Sequence, residues 1–250
     1  MAVTERTLVF IPTYNERENA SRMCQEIFSL ELDADVLFVD DNSPDGTGAS
    51  LDQLKPLYPR LIVRHRSDKL GIGSAHAESI QWAYDRGYEL LVTMDCDFTH
   101  SPQDIPKMLA AVRGYDVAVG SRFIEKGSLP GWSAIRKLLT AGGHVLTRRL
   151  LGMPFDASGA FRVYQLNSIP RELFCLIEQT GYAFFFESLF VLTTNNARIN
   201  EIPIVLPSRI AGHSKMSYGD ILRGVSRLFA VSVRSVFQRT RYKIDKNRAN

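Results

Sequence analysis

Val92-Thr93-Met94-Asp95-Cys96-Asp97-Phe98-Thr99-His100 reads as a buried strand that runs into a turn. The apolar run stops at two aspartates one residue apart, and Ser101-Pro102 then starts a helix. Residues i and i+2 of a strand share a face, so Asp95 and Asp97 can reach one hard cation where the chain turns. Such a cation takes oxygen ligands, keeps waters and completes its shell with substrate phosphates. Two acidic residues at a strand end also suit an ordinary solvated turn, so the motif needs company. By the same alternation Cys96 points back into the core, and His100 is a hydrogen-bonding group rather than a ligand.

Working outward, Thr7–Ile11, Val36–Val39, Leu61–His65, Leu90–Met94 and Val117–Gly120 read as strands. Glu16–Leu30, Ala49–Leu57, Ser74–Arg86 and Pro102–Arg113 read as the helices around them. Strand-helix alternation with near-continuous Val, Ile and Leu predicts an α/β fold, its mostly parallel sheet covered by helices on both faces. Ligands of such sheets bind outside the carboxyl ends of the strands. Those ends carry Pro12-Thr13-Tyr14-Asn15-Glu16, Asp40-Asp41-Asn42-Ser43, Lys69-Leu70-Gly71-Ile72-Gly73, Asp95-Cys96-Asp97 and Ser121-Arg122. Singly, each has a plain structural explanation. Glu16 suits a helix start through the helix dipole, and Asp40-Asp41-Asn42 suits a turn. Gly71-Ile72-Gly73 is no dinucleotide fingerprint, because His76 stands where the third glycine belongs. Five polar or flexible strand ends together make a site.

At 250 residues, with 45% hydrophobic and 23% charged side chains, the chain has room for one large domain or a domain with an appendage. No stretch approaches the roughly 18 apolar residues of a spanning helix, and the first residues have no signal-peptide pattern. Three scattered cysteines (Cys24, Cys96, Cys175) speak against a disulfide framework or zinc site and for a reducing, cytosolic setting. The net charge of +3 is uneven: from Gly219 onward eight basic residues meet two acidic ones. A basic tail on a mildly acidic body suggests a polyanionic partner surface, membrane or nucleic acid. Ser133–Leu151 mixes apolar residues with Arg136-Lys137 and Arg148-Arg149, and Gly142-Gly143 is expected to break it into two short helices. Tyr218–Arg241 reads as one amphipathic helix, with Ile221, Val225, Leu228, Phe229, Val236 and Phe237 opposite Arg223, Arg227, Arg234 and Arg241. Core packing, a partner helix and an interfacial membrane helix all fit that pattern. The nearly all-arginine polar face favours the membrane.

Further motifs complete a series: Gly120-Ser121-Arg122, Ser158-Gly159-Ala160-Phe161-Arg162-Val163-Tyr164, Gly181-Tyr182-Ala183-Phe184-Phe185-Phe186-Glu187 and Glu201-Ile202-Pro203-Ile204. With the strand-end motifs, they give a chain that resembles the inverting family-2 glycosyltransferases of GT-A fold, specifically the polyprenol-phosphate (dolichol-phosphate) mannose synthases. The motifs run in family order across residues 7–218. The resemblance implies a Rossmann-like transferase domain over residues 1–218, including interfacial helices at 133–151, and a basic amphipathic segment at 219–250. It assigns Pro12, Tyr14, Glu16 and Asp41 to the nucleotide base and ribose, with Lys69 on the same nucleotide-sugar side. Asp95 and Asp97 go to a metal, Mg2+ or Mn2+, and the diphosphate. Arg122, catalytic beside the acidic pair, goes with Arg136 and Arg209 to the phosphate of the lipid acceptor, Lys215 close by. Glu187 is an orienting group. Many members continue into spanning helices, whereas this chain stops after the amphipathic segment, as soluble catalytic subunits do.

The activity so implied is transfer of mannose from GDP-mannose to polyprenyl phosphate, by a cytoplasmic, peripheral enzyme at the cytosolic membrane face. Its partners are the donor, the lipid phosphate and the membrane surface rather than nucleic acid; a small membrane-anchoring subunit is left open. Two other readings stand beside it: a family-2 transferase using UDP-glucose or UDP-N-acetylglucosamine, and a non-catalytic peripheral membrane protein on a transferase fold. Cys96 in place of alanine, Phe98-Thr99-His100-Ser101 in place of Leu-Ser-His-His, and Asp156-Ala157-Ser158 in place of Cys-Thr-Ser depart from the family pattern and bear on which sugar is used.

Overall fold

The computed structural model describes residues 5–208 and 218–244. Its first strand, β1 (Thr7–Thr13), shows why the sheet reads as continuous apolar runs. Leu8 and Phe10 enter one core and Val9 and Ile11 the other, all fully buried. A strand covered on both faces has no polar side to offer. The chain continues through α1 (Arg17–Phe28), β2 (Ala34–Asp40), α2 (Thr47–Asp52), β3 (Leu61–His65), α3 (Ile72–Asp85) and β4 (Leu90–Thr93). A short 3-10 turn at Pro102–Asp104 leads into α4 (Ile105–Ala111), β5 (Val117–Ser121) and α5 (Ala134–Leu151). Then come β6 (Arg162–Gln165), α6 (Glu172–Cys175), α7 (Phe184–Thr194), β7 (Ile199–Pro203) and α8 (Tyr218–Phe237).

The seven strands lie in the order β3-β2-β1-β4-β6-β5-β7. β1 is parallel to both β2 and β4, so chain progression reverses beside β1. A crevice opens outside the carboxyl ends at such a switch point, and here those ends are Thr13-Tyr14 and Asp95-Cys96-Asp97. Only β6 runs against its neighbours, pairing antiparallel with β4 and β5. It carries Arg162, whose side chain is wholly buried. The guanidinium donates to the carbonyls of Ala157, Gly159 and Phe185 and to the hydroxyls of Tyr164 and Ser188. No carboxylate among the described residues pairs with it.

α5 corrects one expectation: it is a single helix through Gly142-Gly143. Two interior glycines cost roughly 1 kcal/mol each against alanine, and the ends of α5 offset this. Ser133 Oγ caps the start by accepting from Arg136 N, Gly152 (φ 67°) turns the chain off, and Arg148-Arg149 sit in the last turn. α8 lies against α5, with Ser232 Oγ donating to the Leu150 carbonyl at 3.0 Å. Leu228 and Val231 are its buried contacts with the core. Beyond it Tyr242 is buried edge-on to Phe190, and Asn195 Nδ2 donates to the Tyr242 carbonyl.

Candidate active site

Pro12, Tyr14, Glu16, Asp41, Lys69, Asp95 and Asp97 border one cavity of about 240 Å³ at the switch point. The seven residues assigned to the nucleotide sugar are thus brought together. Lys69 Nζ lies 4.2 Å from the Tyr14 ring centroid, setting a cation against an aromatic face at the mouth. Glu16 stands at the N-terminus of α1; its backbone N–H donates to Thr47 Oγ1 (2.9 Å) and its carboxylate accepts from Asn19 Nδ2 (2.8 Å). Asp41 is buried and also works as a strut. Its two oxygens accept from Arg66 Nη1 (2.6 Å) and from the Gly71 backbone N–H (3.0 Å). Arg66 continues to Ser74 Oγ and Glu78 Oε1, fixing the β3–α3 connection. The sequence reading passed over Arg66, although a basic residue directly after β3 was the available signal.

Asp97 is only 3% exposed, and its Oδ1 accepts from both the backbone and the hydroxyl of Thr99. Phe98 between them takes a left-handed φ of 58°, which turns the loop sharply after the acidic pair. His100 does have the hydrogen-bonding role expected of it, since Nδ1 accepts from the Asp95 backbone N–H at 3.0 Å. That bond leaves the proton of the neutral ring on Nε2. Burial pushes the His100 pKa down to about 4, so the ring is neutral at cellular pH. Cys96 is buried in the core as alternation requires, although its atoms also border the cavity. Among the described residues no group of three or more His, Cys, Asp or Glu is gathered to cage a metal. Two carboxylates on one cavity wall are a donor set for a hard cation that takes its remaining ligands from phosphates and water; Asp95 and Asp97 fit that requirement.

Arg122 lies outside the cavity lining, within electrostatic reach of Asp95. Its Nε and Nη2 grip Asp156 bidentately at 2.7 and 2.6 Å, and Nη2 also donates to Ser158 Oγ. Burial opposes charge on both partners. The pair's mutual attraction outweighs it, holding Asp156 below the usual carboxylate range and Arg122 above its ordinary value, with Asp95 adding to the latter. Glu201 Oε1 accepts from the Asp156 backbone N–H at 2.6 Å, and burial raises the Glu201 pKa. Asp156 and Glu201 went unassigned in the sequence; Asp156 stands out there merely as a departure from the family pattern. Arg136 lies with its guanidinium carbon 3.6 Å from the Trp132 ring centroid, and Trp132 Nε1 donates to the Pro207 carbonyl. Arg209 and Lys215 fall outside the described residues. Glu187 borders no part of the cavity; its Oε2 accepts the backbone N–H groups of Glu178 and Gln179, and burial raises its pKa.

The family model for glycosyl transferase family 2 matches residues 8–169, from β1 past β6. The chain belongs to glycosyl transferase family 2. This transferase is 35% identical over 241 residues to a polyprenol monophosphomannose synthase of Mycolicibacterium smegmatis, covering 95% of this chain and 91% of that one. It is 37% identical to an undecaprenyl-phosphate mannosyltransferase of Micrococcus luteus, covering 86% and 88%. Among solved structures, mannosyl-3-phosphoglycerate synthase from Rubrobacter xylanophilus superposes with a TM-score of 0.64 at 22% identity over 95% of this chain and 74% of that one. Glucosyl-3-phosphoglycerate synthase from Mycobacterium tuberculosis, in complex with Mn2+, UDP-glucose and phosphoglyceric acid, gives 0.64 at 18% identity, covering 97% and 81%. These two share the fold of the transferase.

The outer surface of the transferase is unusual beside α5 and α8. Leu222, Val225, Phe229, Val233, Val236 and Phe237 are exposed and fall within about 120° of one helical sector at 3.6 residues per turn. Leu228 and Val231 point elsewhere, into the core. The apolar side read from sequence as one face is therefore two. On α5, Ile135, Leu138, Leu139 and Val145 are exposed as well. The arginines also divide: Arg234 and Arg241 both pair with Glu178 and are not all spread toward solvent. No helix among the described residues is long and apolar enough to cross a membrane.

Proposed function

We propose that this transferase moves mannose from GDP-mannose to polyprenyl phosphate with inversion at the anomeric carbon, while resting on the cytosolic face of a membrane. The observation that carries the reading is the adjacency of the two charged devices. An acidic pair fit for a cation-bound diphosphate lines the cavity, and Arg122, largely covered and clamped by Asp156, lies near enough for the Asp95 charge to act on it. A donor pyrophosphate and an acceptor phosphate need that juxtaposition. Near end-to-end relationship to two proteins named for mannosyl transfer to polyprenol carriers supports the sugar and the acceptor.

In this reading Pro12, Tyr14, Glu16 and Asp41 hold the base and ribose with Lys69 beside them, and Asp95 and Asp97 would hold Mg2+ or Mn2+. Held there, such a cation would supply charge neutralisation for a diphosphate leaving group. Arg122 and Arg136, with Arg209 and Lys215 outside the described residues, orient the acceptor phosphate. Arginine suits it through its fixed, fork-like donors. A phosphate monoester has a second pKa of about 6 and is already mostly dianionic at neutral pH, so an oxygen attacks without a protein base. His100 is not needed as one; its Nδ1 is occupied by the Asp95 N–H. Glu187 spends its carboxylate on the backbone. The exposed apolar sectors of α5 and α8 would enter the headgroup boundary, and each basic residue near an anionic surface adds on the order of 1 kcal/mol. A small membrane-anchoring subunit is compatible with the same surface.

The deciding assay offers radiolabelled GDP-mannose, UDP-glucose and UDP-N-acetylglucosamine to the protein, each with and without a short polyprenyl phosphate. Lipid-linked label is expected from GDP-mannose alone and only with the acceptor present. Transfer from a UDP-sugar would overturn the donor, and no transfer from any donor would overturn the catalytic reading.

A further inference from the structure

We propose that Glu178 is a positioning residue through which the C-terminal helix α8 sets the shape of the donor cavity, an inference that rests on the donor reading above. Glu178 lies in the segment between α6 and α7, away from the cavity itself. Its two carboxylate oxygens take two arginines from the C-terminal region: Oε2 accepts from Arg234 Nη1 at 3.1 Å, and Oε1 from Arg241 Nη2. The next four residues lead straight to the cavity wall, where Gly181 and Tyr182 line the cavity together with Gly71, Ile72 and Asp97.

That connection is short and pinned at successive peptides. The backbone N–H groups of Glu178 and Gln179 donate to the buried Glu187 carboxylate at 3.1 and 2.9 Å. The Thr180 carbonyl accepts from Ser74 N at 3.0 Å, tying the segment to the first turn of α3. The fit there is close enough to demand glycine. A Cβ added at Gly73 would lie 2.6 Å from the Thr180 carbonyl carbon and the Gly181 carbonyl oxygen. The segment that Glu178 begins thus ends in the Gly181–Tyr182 wall of the cavity, and a displacement of its Glu178 end is passed along these few tied peptides to that wall.

The other end of the device is a fixed platform. α8 is held by Leu228, Val231 and the Ser232–Leu150 bond, and the chain beyond it by Asn195, which bonds both the Tyr242 carbonyl and the Ile244 N–H. The arginines thus reach Glu178 from a surface that packing keeps in place. Two cations converging on one carboxylate are more than a lone surface pair, which alone contributes little. The device also links the donor cavity to the helix that carries the outward apolar sector.

Glu178→Gln keeps the shape and removes the charge. GDP titrated calorimetrically into this variant, or UDP where the wild type prefers it, is expected to bind about threefold to tenfold more weakly. KM for the donor should rise alongside, with kcat, the acceptor KM and Tm unchanged. The ratio of wild-type to variant affinity should shrink as salt rises, since exposed pairs are screened. The charge-swapped triple variant Glu178→Arg with Arg234→Glu and Arg241→Glu should regain donor affinity. Equal GDP binding by wild type and E178Q overturns the proposal alone. Loss of kcat or Tm without a change in donor affinity, or failure of the charge swap to restore binding, also overturns it. A wild type that binds no nucleoside diphosphate overturns the donor reading and this proposal together.

Discussion

The two sides of the acidic pair handle charge in opposite ways. On the donor side carboxylates face the cavity, and neighbours close in sequence or at adjacent strand ends hold them: Asp97 by Thr99, Glu16 by Asn19, Asp41 by Arg66 and Gly71. On the other side the charge is an arginine, Arg122, and its restraint comes from afar, Asp156 with Glu201 behind it. Exposed apolar residues on α5 and α8 flank that second side, six of them on one sector of α8. The difference matches two substrates of unlike kind, a polar nucleotide sugar and a phosphate on an oily chain.

That contrast can be broken most severely at Asp156. Asp156→Asn leaves the Arg122 charge buried beside a neutral amide, and removing one partner of a buried pair costs about 3–5 kcal/mol. The pH dependence fixes the sign. Asp156 titrates lower in the fold than in the unfolded chain, so the pair's stabilisation is full above about pH 4 and is lost as pH falls through the lower, folded value. Denaturant melts should show a wide gap between wild type and variant at pH 7 that narrows below about pH 4. A gap independent of pH would mean the pair is not the source.

Asp97→Ala tests the donor side. Transfer should fall by at least about a hundredfold, roughly 2.7 kcal/mol of barrier, while circular dichroism shows the fold retained. A well-folded variant that keeps a tenth of the activity would remove Asp97 from the cation site.

The smallest effect is expected on the outer surface. Phe229→Ser removes an exposed ring from the apolar sector of α8 without touching Leu228 or Val231. Partition onto anionic vesicles, read by co-sedimentation, should weaken by about 1–2 kcal/mol with Tm unchanged. Unchanged partition would leave that sector without a membrane role.

Sequence legibility followed the same divide. Donor-side residues sit at successive strand ends, so the alternation of β1 to β4 puts Pro12, Tyr14, Asp41 and Asp95 at one edge of the sheet, and the family resemblance supplies their roles. The arginine side is assembled from residues 122, 156 and 201, on elements that no local pattern brings together. Asp156 was visible only as an oddity until Arg122 was seen on it. Four-residue β6 is too short for periodicity to announce its antiparallel direction. The two apolar sectors of α8 merged into one because spacing alone does not say which sector meets the core. In α5 the Gly142-Gly143 pair signals a break locally, while the caps at Ser133 and Gly152 that carry the helix through lie at its far ends.

Arg162 has a consequence for how the chain folds. A guanidinium is a cation, so this charge must leave water on folding, and no carboxylate among the described residues receives it. Its five acceptors lie at positions 157, 159, 164, 185 and 188. Strand β6 can therefore enter the middle of the sheet only when the loop before it and the first turns of α7 arrive too. Residues 157–188 thus form one cooperative block, and a nascent chain that has emerged only as far as β6 holds a sheet it cannot yet close.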